Sequence, residues 1–469
     1  MTSYGEAETA AQGRTVFAKL HARLGDFWWY SLMLFCACRA ADLLNAFVGL
    51  WLVPEYVAPS ELGAVAPLAS FANFLALPAA AFANTFRNEV SRLSIGREFG
   101  KLKTLMRGVF IATALFLFVA IVAAKFTMPL FLERIRIVEG SLGLVIIAAS
   151  FVSAVAPVYT NTLQALKKFK AQSILSIAGA PVRLATMLAA MPFRALTGYF
   201  IGQASVPAFT IGASVLALRK ELSVKAEPYW NRATLKKFSV LFALFAAWGI
   251  SGGVTSLVES TVIRQRLPEL DSAGYYMATR FSEIACYLYA AVCFTFFPFA
   301  AELARDAKAR ARLTVRVTAV NFAFCAAVAA VFFFISERLL ALLPHGESYA
   351  AYWWAVPWLV GITWLSCIHG IYTTSEVAAN RFSFLKWTLP LDFIYSGALL
   401  LITSHGYFDG TIPPSWTDFL ARNNICTLES MLVAMTAVNV VKAAFSFAFI
   451  VAQSRSRQPS IDISGGAAP

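Results

Sequence analysis

The chain has 469 residues, 59% of them hydrophobic and 14% charged, where a soluble domain carries about a quarter charged. That composition excludes a single water-soluble core, and a mean hydropathy of +0.65 points to lipid as the main solvent. The formal charge is +13, from 39 Lys+Arg against 26 Asp+Glu. Such an excess suits a nucleic-acid binder or a membrane protein with biased loops, so the positions of the charges decide.

Residues 1–29 are polar and mixed, and the first apolar run, 31–54, is full length. It reads as an uncleaved first span rather than a signal peptide. Apolar runs broken by charge or proline predict twelve spanning helices: 31–54, 62–85, 108–131, 142–165, 173–191, 195–218, 238–263, 273–299, 317–343, 350–374, 387–404 and 428–452. With the N-terminus inside, the cytoplasmic segments hold 27 Lys and Arg, the outer segments eight and the spans four. That contrast requires an even number of spans and both termini in the cytoplasm. The expected fold is therefore all-α and polytopic. Its units are a cytoplasmic segment 1–29, an N-lobe 30–218, a basic linker 219–237, a C-lobe 238–453 and a disordered tail 454–469.

The two halves echo each other, as internally repeated membrane folds do. Glu61-Leu-Gly63 opens the second helix and precedes Arg92 by 29 residues, counted from the glycine. Ser272-Ala-Gly274 opens the eighth and precedes Arg305 by 31. Lys168-Phe169 and Arg381-Phe382 follow the fourth and tenth helices at an offset of 213. Two pseudo-symmetric six-helix lobes of like orientation explain these matches.

Charges inside spans are costly, by at least about 2.5 kcal/mol each at mid-membrane, and so need a polar cavity or a partner. Arg39 and Asp42 lie on one face of the first helix, and Arg280 and Glu283 repeat that spacing in the eighth. Each pair either neutralises itself and locks helices, or lends its arginine to a central cavity for an anionic ligand. Arginine suits the second role because its fork binds phosphate oxygens bidentately and stays charged. Arg183, in the fifth helix, has no acid nearby in its own helix, and Lys442, in the twelfth, has none in sequence. Asp392 reads as shallow in the eleventh helix, and Glu259 as near the outer end of the seventh. Asn73, Asn84, Asn161, Gln164, Gln203, Asn321 and Asn439 read first as glue between helices and second as sugar-hydroxyl partners.

Catalytic patterns are absent: the four histidines (His21, His345, His369, His405) are scattered, with no metalloprotease, phosphate-loop or dinucleotide motif. His369 reads as a packing or hydrogen-bonding residue rather than a proton relay. The seven cysteines fall mostly inside apolar runs without CxxC pairing and read as small core residues. No metal or cofactor is expected, and no enzymatic activity. The segment 405–427, with Pro413-Pro414, Trp416, Asp418 and Arg422, reads as an interfacial cap.

Several stretches resemble the bacterial polysaccharide exporters, or lipid-linked oligosaccharide flippases, of the multidrug/oligosaccharidyl-lipid/polysaccharide (MOP) transporter superfamily. Residues 52–63, continuing to Arg87 and Arg92, are similar to that family's first outer turn and second helix. Residues 163–169 are similar to the exit of its fourth helix. Residues 273–302 and 345–349 are similar to its eighth helix and the start of its tenth. The resemblance implies two lobes forming a V around a cationic cavity lined by helices 1, 2, 7 and 8. It places Arg39, Asp42, Arg280 and Glu283 there and supports Arg183, in the fifth helix, less; Arg183 and Lys442 are expected as further cavity residues because their charges lack a partner in sequence. The implied activity is movement of a polyprenyl-pyrophosphate-linked oligosaccharide across the bacterial cytoplasmic membrane by alternating access. The implied partners are that anionic glycan lipid, membrane lipids, a coupling cation and other polysaccharide-assembly proteins. A cation-coupled multidrug exporter of the same superfamily is the alternative, ahead of a peptidoglycan-precursor flippase or a membrane glycan polymerase.

Overall fold

A computed structural model describes residues 43–137, 140–166, 168–304, 306–403 and 427–455. Arg39, Asp42, the segment 1–29, most of 405–427 and the tail beyond 455 lie outside the described residues. Twelve long helices are described. They are α1 (Leu43–Tyr56), α2 (Val65–Ile95), α3 (Phe99–Arg134), α4 (Gly140–Ala165), α5 (Phe169–Ala190) and α6 (Ala195–Ala217). The second six are α7 (Arg232–Arg266), α8 (Glu269–Glu302), α9 (Ala307–Ala341), α10 (Ala355–Ala378), α11 (Leu385–Thr403) and α12 (Leu428–Arg455).

Each predicted helix has a counterpart among the described residues, the first only from Leu43 onward, and several outrun their apolar cores. α3 begins nine residues before the expected 108, α9 ten before 317, and α2 runs ten past 85. The added turns are rich in Lys and Arg, which are good helix formers, so polarity marks the membrane boundary and not the helix end. Capping sets the true ends: Asn231 Oδ1 accepts from Thr234 N at 2.8 Å to start α7, and Asp306 Oδ1 accepts from Ala309 N at 2.9 Å to start α9. Two expected starts shift the other way. Glu61 and Gly63 sit on a short helix, Pro59–Leu62, and its cap before α2, while a short helix, Gly346–Tyr349, precedes α10.

The echo between halves is structural. Lys168 N donates to Leu163 O and Arg381 N to Glu376 O, at 2.9 and 2.8 Å, closing the ends of α4 and α10 at matching positions. Packing repeats too: α2 lies on α3 and α4 as α8 lies on α9 and α10, and α4 lies on α6 as α10 lies on α12. Between the lobes α7 packs along α2, and α1 with the Pro59–Leu62 helix packs on α8. The peripheral helices α3 and α9 turn large apolar side chains outward, Phe118, Phe126 and Phe334 among them, each at least 67% exposed. In water such faces would aggregate, whereas in a bilayer they are the solvated surface.

One apolar cluster joins the two lobes at their outer ends, uniting Val48, Leu62 and Leu68 with Met277, Val356 and Leu432. Toward the cytoplasmic ends two further clusters form, one around Phe86, Leu105 and Leu163 of the N-lobe and one around Phe296, Val317 and Phe384 of the C-lobe, and each crosses the seam, the first with Phe238 of α7 and the second with Ala81 of α2. Gly63 is required at the outer seam, since a Cβ there would lie 3.0 Å from the Ser272 backbone and closer still to its side chain. The glycine of one echoed motif thus meets the serine of the other.

At the cytoplasmic end, α2 and α7 are tied by charge. Glu89 Oε1 pairs with Lys237 Nζ at 2.7 Å, while its Oε2 accepts from Arg92 Nε at 2.9 Å and from the Tyr229 hydroxyl at 3.0 Å. α2 has 31 residues, about 46 Å at ~1.5 Å per residue, so its last turns project beyond the hydrocarbon. Burial alone would raise the Glu89 carboxyl, but hydrogen bonds and charges from Lys237 and Arg92 outweigh it and hold the group below its ordinary value. Burial and the Glu89 charge push the Tyr229 phenol up to about 12, so it remains a donor. Because the folded-state carboxyl titrates lower than the unfolded one, this latch stabilises the fold above the ordinary carboxylate range. The contribution is lost as pH falls through the lowered value. Lys237 and Arg92 are more than half exposed, which limits the gain to about 1 kcal/mol. Glu89→Gln is expected to lower the melting temperature of the detergent-solubilised chain at neutral pH and to match the parent in acid; equal melting at both would remove the latch.

Candidate functional site

The central site lies just inside the outer seal and takes residues from both lobes. On α8, Arg280 Nη1 pairs with both Glu283 oxygens, at 2.9 and 3.0 Å, and the guanidinium stands 4.9 Å from the Tyr276 ring centroid. A Cβ at Gly49 would lie 3.2 Å from Arg280 Cδ, so the glycine in the π-helical stretch of α1 gives the arginine stem its room. From the N-lobe, Arg183 Nη1 on α5 donates to Asn45 Oδ1 on α1 at 3.2 Å and stands 6.0 Å from the Tyr199 ring on α6. The charges of Arg183 and Arg280 both act on Tyr276, and Arg280 also senses Tyr199. The two guanidiniums, from opposite lobes, are thus both within electrostatic range of Tyr276.

Buried Arg183 Nε, Arg280 Nε and the Tyr276 hydroxyl have no hydrogen-bond partner among the described residues. Glu283 keeps 42% of its side chain exposed although it sits mid-helix, so the patch borders open space rather than packed core. A guanidinium over an aromatic face gains about 0.5–2 kcal/mol, which helps hold each arginine there without using all its donors. Two arginines against one glutamate leave the described patch cationic. Its chemistry is ion and hydrogen-bond recognition, with no nucleophile paired to a base.

Lys442, without a partner in its own helix, finds one on α11. Its Nζ pairs with Asp392 Oδ1, and Asp392 Oδ2 accepts from the Ser251 hydroxyl at the middle of α7. The shallow reading of Asp392 is thereby corrected: the residue is 6% exposed and at mid-depth. Glu259 joins the cluster, within electrostatic range of Lys442, Asp392 and Tyr395, and Thr255 and Ser396 bridge α7 to α11 at 3.3 Å. Three ionisable residues from α7, α11 and α12 thus meet inside the C-lobe. Sequence spacing cannot show this, because the partners are 50 and 133 residues from Asp392.

Two further charged groups escaped sequence reasoning. Arg264, assigned to an outer loop, is 2% exposed, and its Nε donates to Ile135 O at 3.2 Å, binding α7 to the outer α3–α4 turn. Arg310, assigned to a cytoplasmic loop, is fully buried against Glu376 at 3.5 Å. His369 is a packing residue as expected, with Nδ1 3.0 Å from Ser446 Oγ and its ring edge-on to Trp387. Asn439 is glue, accepting from Ser366 at 2.7 Å and donating to Met435 O. Among the described residues no group of three or more His, Cys, Asp or Glu is placed to hold a metal ion.

No protein-family model and no curated protein matches the chain. Solved structures do. An outward-facing MATE-family multidrug resistance transporter of the MOP superfamily superposes with a TM-score of 0.66 at 12% identity, over 93% of this chain and 98% of that one. An inward-facing MATE-family transporter gives 0.59 at 12%, over 91% and 100%. A third, described as a MOP superfamily transporter from Pyrococcus furiosus with a binding pocket of reversed polarity suggesting a different function, gives 0.64 at 11%, over 92% and 98%. The fold is that of the MOP superfamily transporters. At these identities the likeness carries architecture, a multi-pass membrane protein of two lobes, and leaves substrate to the site.

The buried Lys442–Asp392 pair makes a direct prediction. Removing one partner strands the other charge, at about 3–5 kcal/mol, whereas replacing both by apolar residues of similar size is near neutral. Lys442→Ala is expected to lower the melting temperature in detergent markedly, and Lys442→Met with Asp392→Leu to recover most of the loss. Additive losses in the double variant would dissolve the pair.

Proposed function

We propose that this chain exports an amphipathic anion by alternating access, and that the substrate is the pyrophosphate-bearing headgroup of a lipid-linked oligosaccharide in the bacterial cytoplasmic membrane. What supports the reading is that Arg183 and Arg280, one from each lobe, stand against the Tyr199 and Tyr276 rings and both act electrostatically on Tyr276. No covalent step is needed. The barrier is desolvation of a charged headgroup, and the guanidinium donors replace the lost water while the aromatic faces offer stacking area to sugar rings. Glu283, paired with Arg280, competes with the ligand for the guanidinium and so favours release. The family resemblance adds Arg39 and Asp42, which lie outside the described residues, to the proposed site. A ligand held by both arginines spans the lobes, so opening of the outer seal transfers it from one side to the other. Glycan-assembly proteins that supply or consume such a lipid would be its partners.

A second reading has its own support: the Glu259, Asp392 and Lys442 cluster together with neighbours that are multidrug transporters by description. Buried carboxylates in spans suit coupling to a cation, and a cation-coupled multidrug exporter would use them.

The two readings separate in cells. Charge-assisted hydrogen bonds contribute about 1.5–3 kcal/mol, so Arg39→Ala, Arg183→Ala and Arg280→Ala are each expected to cut surface polysaccharide by roughly tenfold or more at unchanged protein level. Full export by stably inserted Arg183→Ala and Arg280→Ala variants would overturn the assignment. Drug sensitivity on deletion, with normal polysaccharide, would establish the second reading.

A further inference from the structure

A crevice of about 300 Å³ lies at the cytoplasmic end of the lobe seam, far along α2 and α7 from the arginine patch. Its walls are Phe82 of α2, Gly108 and Ala112 of α3, and Phe238 and Phe242 of α7, with Trp230 of the linker across one side. These residues begin the apolar parts of α3 and α7, so the crevice opens at the depth of the inner-leaflet acyl chains. Its volume is roughly that of ten waters, but an apolar space does not hold ordered water. The molecule with an apolar chain at that depth is a lipid.

The walls come from both lobes and are held in place. Phe82 stacks on Phe242 at 4.1 Å across the seam, and Trp230 meets Phe238 edge-on at 5.4 Å. The linker that carries Trp230 is pinned to α3: Glu227 N donates to Gly100 O at 3.2 Å, Thr104 Oγ1 to Glu227 O at 2.7 Å, and Lys103 Nζ to Val224 O at 3.1 Å. The crevice is therefore a built feature rather than a gap under a loose strand.

Charge at its mouth has a sign. Leu235 and Ser239 of α7 line the crevice, and Arg232 and Lys236 precede them by three residues each, continuing the same helical stripe toward the cytoplasm. Both side chains are exposed, whereas the neighbouring Lys237 is committed to Glu89. We propose that the crevice holds one acyl chain of an anionic phospholipid of the cytoplasmic leaflet, with the headgroup phosphate between Arg232 and Lys236. A chain seated there touches α2, α3 and α7 at once and links lipid composition to the lobe seam. The assignment does not depend on the identity of the transported substrate.

The test uses the full chain in phosphatidylcholine vesicles containing a minority of phosphatidylglycerol, with bromine placed on the acyl chains of one lipid at a time. Bromine quenches tryptophan on contact, and the Trp230 share is the difference between the parent and Trp230→Phe. At equal mole fraction, brominated phosphatidylglycerol is expected to quench Trp230 several-fold more effectively than brominated phosphatidylcholine, each basic residue near an anionic lipid contributing about fivefold in partitioning. Arg232→Gln with Lys236→Gln, both at exposed positions, should abolish the preference and leave quenching by phosphatidylcholine intact. Equal quenching by both lipids in the parent would reduce the crevice to ordinary lipid contact, and no quenching of Trp230 by either would show that no chain enters. A preference that survives the double glutamine variant would overturn the headgroup assignment.

Discussion

The outer apolar seal is the constraint on which the rest of the molecule depends. In a bilayer helices gain little from hiding apolar area, so close packing of small surfaces must hold them together. Here such close approach is seen where Gly63 meets Ser272 and where α1 lies on α8. The largest apolar cluster spans both lobes at that end, while along the rest of the seam the lobes meet through α2 and α7. The arginine patch sits just beneath that seal.

The distribution of charge follows from the same architecture. Arg183 Nε and Arg280 Nε at the apex have no partner among the described residues, and neither has Arg310 Nε in the C-lobe, although its guanidinium is ion-paired. Lys442 with Asp392 and Arg310 with Glu376 each tie two helices, and such pairs are held by the cost of stranding one partner rather than by a large net gain. Aromatic faces instead of carboxylates flank the arginines at the apex. That choice keeps guanidinium donors available to a ligand, which a tight acid pair would not, and Arg280 with its exposed Glu283 is the intermediate case.

The helix count, the orientation and the duplication were legible in the sequence because they rest on composition summed over twenty residues and on the sign of loop charge. The 213-residue offset between Lys168 and Arg381 was legible for a sharper reason: both occupy the position whose backbone closes a helix end. Helix ends were less legible where Lys and Arg extend a helix past the membrane, as in α3 and α9. Arg280 with Glu283 could be read because its partner is one turn away. Lys442 could not, since its partner is on another helix 50 residues earlier, and neither Tyr199 nor Tyr276 carries a mark separating it from an ordinary interfacial tyrosine. A buried charge without a local partner was the usable signal; it identified Arg183 and Lys442 as needing an explanation but could not say which kind.

The proposed alternating access places different demands on the two seams. At the outer one the Gly63–Ser272 contact leaves nothing unpaired but a hydroxyl that water can satisfy, whereas buried Arg264 ties α7 to the α3–α4 turn through Ile135 O. The cytoplasmic tie between α2 and α7 is ionic and half exposed, with Glu89 answering to Lys237, Arg92 and Tyr229 at once. Breaking such a network one bond at a time leaves Glu89 still paired, so the seam can shear while remaining connected. Phe82 and Phe242 lie deeper on the same seam and can slide across one another at little cost, since stacked rings have shallow geometric preferences. In that proposed cycle the α2–α7 line, which stays connected through these contacts, is suited to act as the pivot.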